Sequence, residues 1–151
     1  MNSTLKVAAI LSLATVTALG TTFWNAAGHA AAAGGTMKDF MVNVVMPNTQ
    51  PLWDNGYADK LTDQDWARMQ QAVTRLQASI PTVSSGGSLP AEQTRAKSTV
   101  WQDWTKKMAM AVAANKAAVD KKDQMALAMA GDSLVEICEG CHMSFDPTAG
   151  K

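Results

Sequence analysis

The chain has 151 residues, 13 Lys and Arg balanced by 13 Asp and Glu, two Cys and two His. That length suits one compact domain behind a targeting segment, and a formal charge of zero excludes the basic excess or stripe of a nucleic-acid-binding protein. Two cysteines are too few for a disulfide-rich scaffold or a four-thiolate zinc or iron–sulfur site, while scarce strand formers beside abundant Ala predict an all-α fold.

The first segment reads as an address. Lys6 is followed by an uncharged apolar run from Val7 to Gly20 and then by small residues from Ala26 to Ala33. This three-part pattern is that of a secretory signal peptide over 1–32, with cleavage after Ala30 or Ala32. An uncleaved membrane anchor is the alternative, since the uncharged stretch from Val7 to Asn25 is nearly long enough to span a bilayer. Export leaves a domain over 33–151 in an oxidising compartment, expected to be the periplasm, with His142 as its single histidine.

Four helices follow in chain order. The first runs from about Thr36 to Trp53, with Met37, Met41, Val44 and Val45 at helical spacing. Pro47 and Pro51 predict a kink or break near Met46. The second opens with Thr62 and Asp65 as an Asp variant of the capping box. Trp66, Met69, Val73, Leu76 and Ile80 form its apolar stripe, and Pro81 is expected to end it. Residues 81–90 then read as a loop. The third helix runs from Pro90 to about Asp120, with Trp101, Trp104, Met108, Ala111 and Ala118 at alternating steps and Asn115 as the polar member. The fourth starts at Asp123 as N-cap and reaches roughly Phe145, with Leu127, Leu134, Cys138 and Cys141 on one face; Pro147 and Gly150 stop it. Short connections predict an antiparallel up-down-up-down four-helix bundle.

Residues 138–142 read Cys-Glu-Gly-Cys-His. CxxCH is the attachment signature of c-type haem. Two thiols three positions apart share a helix face, where each can form a thioether with a haem vinyl group, and the adjacent His142 offers its imidazole to the iron. A thioredoxin-type dithiol wants a βαβ context that is missing here. A zinc site needs four ligands, and the domain offers three at most from Cys and His. The cofactor expected is therefore one covalent haem c on Cys138 and Cys141, with His142 as an axial iron ligand.

A CxxCH on the last helix of a four-helix bundle resembles the class II cytochromes c, the cytochrome c′ family. The resemblance extends to Thr36 through Met41 with Pro47 and Trp53, to Trp101-Gln102-Asp103-Trp104, to Lys122-Asp123 and to Gly131-Asp132, covering residues 36–147. It implies one of two behaviours. High-spin members leave the sixth iron position open and bind nitric oxide or carbon monoxide. Low-spin members fill it with a methionine from the first helix and transfer electrons. With one histidine in the domain, a sixth ligand would be methionine sulfur. Met37, Met41 and Met46 lie on the first helix, and similarity to low-spin relatives favours Met41, with Met37 the alternative and an open iron the third choice.

Other residues carry less. Trp104 is expected to wall the haem pocket, with Trp101 considered beside it and Trp66 assigned to the core. Met69, Met108, Met125 and Met129 are expected in the core or the pocket wall. Lys38 reads as a solvated lysine, with pairing to a haem propionate the alternative. Glu136 and Glu139 face solvent. The pairs Lys106-Lys107 and Lys121-Lys122 offer a docking site for an acidic partner, although a solvated face is the default. No Ser/His/Asp set can form with one histidine, so no enzyme is expected. The reading is a periplasmic electron-transfer protein serving redox partner proteins, with gas binding the rival. The resemblance also implies dimers through the first two helices, for which the stripe on 66–80 is the candidate surface.

Overall fold

The computed structural model describes residues 35–145. The expected signal peptide over 1–32 and the expected stops at Pro147 and Gly150 lie outside the described residues. Within them the elements are α1 (Met37–Phe40), a π-helical segment (Met41–Val45), α2 (Met46–Gly56), α3 (Asp63–Ser85), α4 (Pro90–Ala96), α5 (Thr99–Lys121) and α6 (Gln124–Phe145). No strand occurs among the described residues, and none of their helices is long and apolar enough to cross a membrane.

The first rod does not break at its prolines. α1 begins with a capping box: Thr36 Oγ1 accepts from the Asp39 amide at 3.1 Å and Asp39 Oδ2 accepts from the Thr36 amide at 2.9 Å. The Met37 amide donates to the Glu92 carboxylate at 2.9 and 3.0 Å, setting a negative charge at the helix start. The chain then widens. The Met46 amide bonds the Met41 carbonyl, five residues back, and Pro47 follows at once. A proline lacks the amide and clashes with the carbonyl four residues before it; a π turn opens the ladder there, so the rod continues where the sequence predicted a break. Asn48 Nδ2 and Thr49 Oγ1 donate to the Val44 and Val45 carbonyls at 2.6 and 3.0 Å, supplementing a ladder thinned by two prolines.

Two further boundaries differ from expectation. α3 passes through Pro81 and stops at Gly86, whose φ of 78° is left-handed. The Gly87 amide reaches the Thr82 carbonyl at 3.0 Å, closing a Schellman end. A Cβ on Gly86 would stand 2.5 Å from the Glu92 carbonyl oxygen, so glycine is required there on two counts. Val83, in the last turn of α3, is buried and its carbonyl accepts from Trp101 Nε1 at 2.9 Å. Tertiary packing thus extends the helix past its proline, and the loop shrinks to residues 86–89. The long third helix is in fact two. Ser98 caps α5 by accepting from the Trp101 amide at 3.3 Å, and Gln102 Nε2 donates to the carbonyls of Ala96 and Ser84 at 2.7 and 2.9 Å. These bonds hold the turn that separates α4 from α5.

The four rods pack in a ring: α2 on α3, α3 on α5, α5 on α6, and α6 back on α2. With connections this short the arrangement is the antiparallel four-helix bundle. Leu52, Met69, Val73, Leu76, Val112, Leu127 and Leu134 are wholly buried between them. The stripe at Trp66, Met69, Val73 and Leu76 therefore faces the interior and is not free to form a dimer. A smaller cluster of Met37, Ala96 and Trp101, with Phe40, Met41 and Phe145 against it, sits at the other end. Here the start of the first rod meets the end of α6.

Candidate functional site

α6 runs without interruption through Cys138, Cys141 and His142. The two thiols stand one helical turn apart, are free, and are half-buried. Burial pushes the Cys138 thiol up to about 11, with the charges of Cys141 and Glu139 adding to it; burial also raises Cys141. Both sulfurs are therefore neutral thiols at neutral pH.

These residues form one wall of a cavity of about 240 Å³. Ile137 joins them from α6. The first rod contributes Met41, Val42, Val45, Met46 and Thr49; α3 contributes Val83; α5 contributes Trp104, Thr105 and Met108. The two lining hydroxyls are turned to their own helices, Thr49 to the Val45 carbonyl and Thr105 to the Gln102 carbonyl at 3.0 Å each. What remains toward the cavity is almost wholly apolar apart from thiol and imidazole.

Trp104 closes one side. A Cβ on Gly140 would lie 2.3 Å from its Cη2, so the glycine between the two cysteines is what lets the indole lie on α6. Its Nε1 donates to Ser144 Oγ at 3.1 Å, and Lys107 Nζ rests 4.2 Å from its ring centre. Trp101 is elsewhere: it meets Phe145 edge-on at 5.0 Å between ring centres and lines no part of the cavity.

The arrangement fits haem. Two thiols and an imidazole on one turn of α6 line an apolar cavity, and the thioether side chains of Met41, Met46 and Met108 line it from the neighbouring rods. Among the described residues, no group of three His, Cys, Asp or Glu side chains gathers to hold a bare metal ion. A family model described as Cytochrome C' matches residues 44–146. The chain belongs to the cytochrome c′ family. Neither the curated proteins nor the solved structures gave a match. Membership makes this a haem-binding protein that carries electrons or binds a gas, with haem c as the cofactor. The match begins at Val44, after Met37 and Met41, so the choice between those two behaviours is not carried by membership.

The predicted site residues divide. Cys138, Cys141, His142, Met41, Met108 and Trp104 share the cavity. Met37 does not. It is buried against Ala96 and Trp101, with its Cε 3.3 Å from where a Gly87 Cβ would stand. Trp66 and Met69 are core, as expected, whereas Met125 and Met129 are exposed on the outer face of α6. Apolar character misled here, because both lie outside the buried Leu127–Leu134 face. Lys38 is exposed. The sequence reading missed Val45, Thr49, Val83, Thr105 and Ile137. The signal existed, since Val45 and Thr49 continue the Met41 face at steps of four, but the expected break at Pro47 hid it.

Proposed function

We propose that this chain is a periplasmic, low-spin electron-transfer cytochrome with one haem attached through Cys138 and Cys141. His142 and Met41 would hold its iron. The observation that carries this reading is that Met41 and His142 line one apolar cavity from adjacent helices, while the competing Met37 is buried against Ala96 and Trp101 and lines no part of it. When bound, haem c supplies a one-electron ferric–ferrous couple.

The chain's own residues have three tasks. Cys138 and Cys141 fix the cofactor to α6. Val45, Val83 and Met108 exclude water and so help set the potential. His142 and Met41 sit on packed helices, so neither ligand needs to move when charge changes, and little reorganisation opposes transfer.

The absorption spectrum of the holoprotein tests the assignment. Sharp bands when reduced, with a weak far-red sulfur-to-iron band when oxidised, are expected. A broad high-spin spectrum, with rapid and complete carbon monoxide binding, would instead establish gas binding at an open iron. That rival draws on the same apolar wall, because Val42, Val45 and Val83 around Met41 would suit a small diatomic ligand.

A further inference from the structure

The cavity opens on one side of the bundle. Its lining residues Val42 and Met46 on the first rod are 47% and 56% exposed, and His142 on α6 is also exposed. On the far wall Val83, Thr105 and Met108 are buried. The mouth therefore lies between the first rod and α6. The exposed stripe of the rod continues at helical steps through Trp53 and Tyr57. Both reach Asp132 of α6: Trp53 Nε1 donates to Oδ1 at 3.1 Å, and the Tyr57 hydroxyl donates to Oδ2. Along α6, Glu136, Glu139 and Met143 follow Asp132 at steps of four, three and four, and all three are exposed.

Charge divides the same way. Residues 37–56 and 124–145, the two helical rods at the mouth, carry five carboxylates (Asp39, Asp54, Asp132, Glu136 and Glu139) against Lys38 alone. Residues 57–123, the other half of the bundle, carry ten Lys and Arg against seven carboxylates. A chain of nearly zero net charge is thus strongly dipolar across its bundle, with the negative side at the opening.

We propose that this acid-flanked apolar face is the docking surface for a soluble redox protein whose own cofactor edge is apolar and collared by Lys and Arg. The inference rests on the electron-carrier reading above. Transfer needs close approach to the cofactor, and the mouth is where the cavity meets solvent. A small apolar centre inside a charged collar suits a transient complex, steered by electrostatics and held by little buried area. An acidic partner on Lys121-Lys122 would sit at the far end of α5, away from this opening, and Lys107 is engaged over the Trp104 ring. A second copy using the same face would set carboxylates against carboxylates.

The test uses the reduced holoprotein in stopped flow with two oxidants of opposite charge, tris(phenanthroline)cobalt(III) and hexacyanoferrate(III). Oxidation by the cationic cobalt complex should slow as salt is added, and oxidation by the anion should quicken. The double variant Glu136→Lys/Asp54→Lys should lower the cobalt rate by about tenfold and remove the contrast, whereas Lys121→Glu should leave it. Decalysine should slow the cobalt reaction of the wild type and not that of the double variant. Equal salt responses for the two oxidants would overturn the proposal, as would a contrast that follows Lys121. So would a dimer in sedimentation that Glu136→Lys disrupts, which would assign the face to self-association. Carbon monoxide binding with the contrast intact would sink the electron-carrier reading and keep the face. Equal salt responses in a protein that refuses carbon monoxide would do the reverse.

Discussion

The two ends of this bundle are built from the same four rods and differ in how far their side chains fill the space between them. At the closed end Leu52, Trp66, Met69 and Leu127 fill the interior. Polar ties finish it: Gln124 Nε2 donates to the Ala58 carbonyl and Lys122 Nζ to Asp63 Oδ1, both at 2.5 Å. At the open end Val42, Val45, Thr49, Val83 and Thr105 supply short β-branched side chains, and a cavity remains. Interiors pack to near-crystalline density, so an apolar space of this size implies an occupant. One half of the molecule is its own core, and the other is completed by a cofactor.

That contrast can be broken most completely at the cofactor's attachment. Cys138→Ser/Cys141→Ser should abolish covalent haem altogether, read as loss of haem stain on a denaturing gel, while Leu127 and its neighbours keep the closed end. Retained stain would remove these thiols from the assignment. Next, Leu127→Ala at the closed end should destabilise the fold by about 2–5 kcal/mol in urea titration, with the haem spectrum unchanged. A shifted spectrum would show that the two ends are not independent.

A smaller and more discriminating pair compares the methionines. Met41→Ala should turn the haem high-spin and erase the far-red band with little loss of stability. Met37→Ala should leave the spectrum alone and cost about 2 kcal/mol, because it empties a buried position beside Trp101. The reverse pattern would exchange their roles.

The smallest effect is acid sensitivity. Hydrogen bonds from Thr36 and Thr62 hold the carboxyls of Asp39 and Asp65 below the ordinary carboxylate range, and Lys122 does the same to Asp63 by hydrogen bonding and charge. A carboxyl lowered in the folded state contributes stability above its unfolded value of 3.8, and that stability is lost as pH falls through the folded value. Urea midpoints should fall progressively below about pH 4, and Asp63→Asn should flatten part of the slope. Asp39 and Asp63 are exposed and Asp65 is only half-buried, so the change should be small.

Legibility followed the range of the interaction. The capping boxes at Thr36 and Thr62 and the Asp123 start of α6 are local, and each stands where the residues alone predicted it. CxxCH was equally plain, because its geometry is set within one helical turn. The prolines were misread. Pro47 and Pro81 are local helix breakers, yet a π turn at one and the packing of Val83 under Trp101 at the other carry the helix through. Ser98 was missed although its cap is as local as the others; Gly140 was missed for the opposite reason, because its meaning lies in Trp104, which reaches it from α5.

By itself the sequence determined that this is an all-α chain with a CxxCH on its last helix, since helical period, caps and a five-residue motif are written in neighbouring residues. Only the tertiary structure decided that Met41 rather than Met37 lines the cavity, that Met125 and Met129 face solvent, and that the cavity opens on the acidic side. Those outcomes depend on which helix lies opposite, how the π turn rotates the first rod, and how large the facing side chains are. None of these is a property of any one segment.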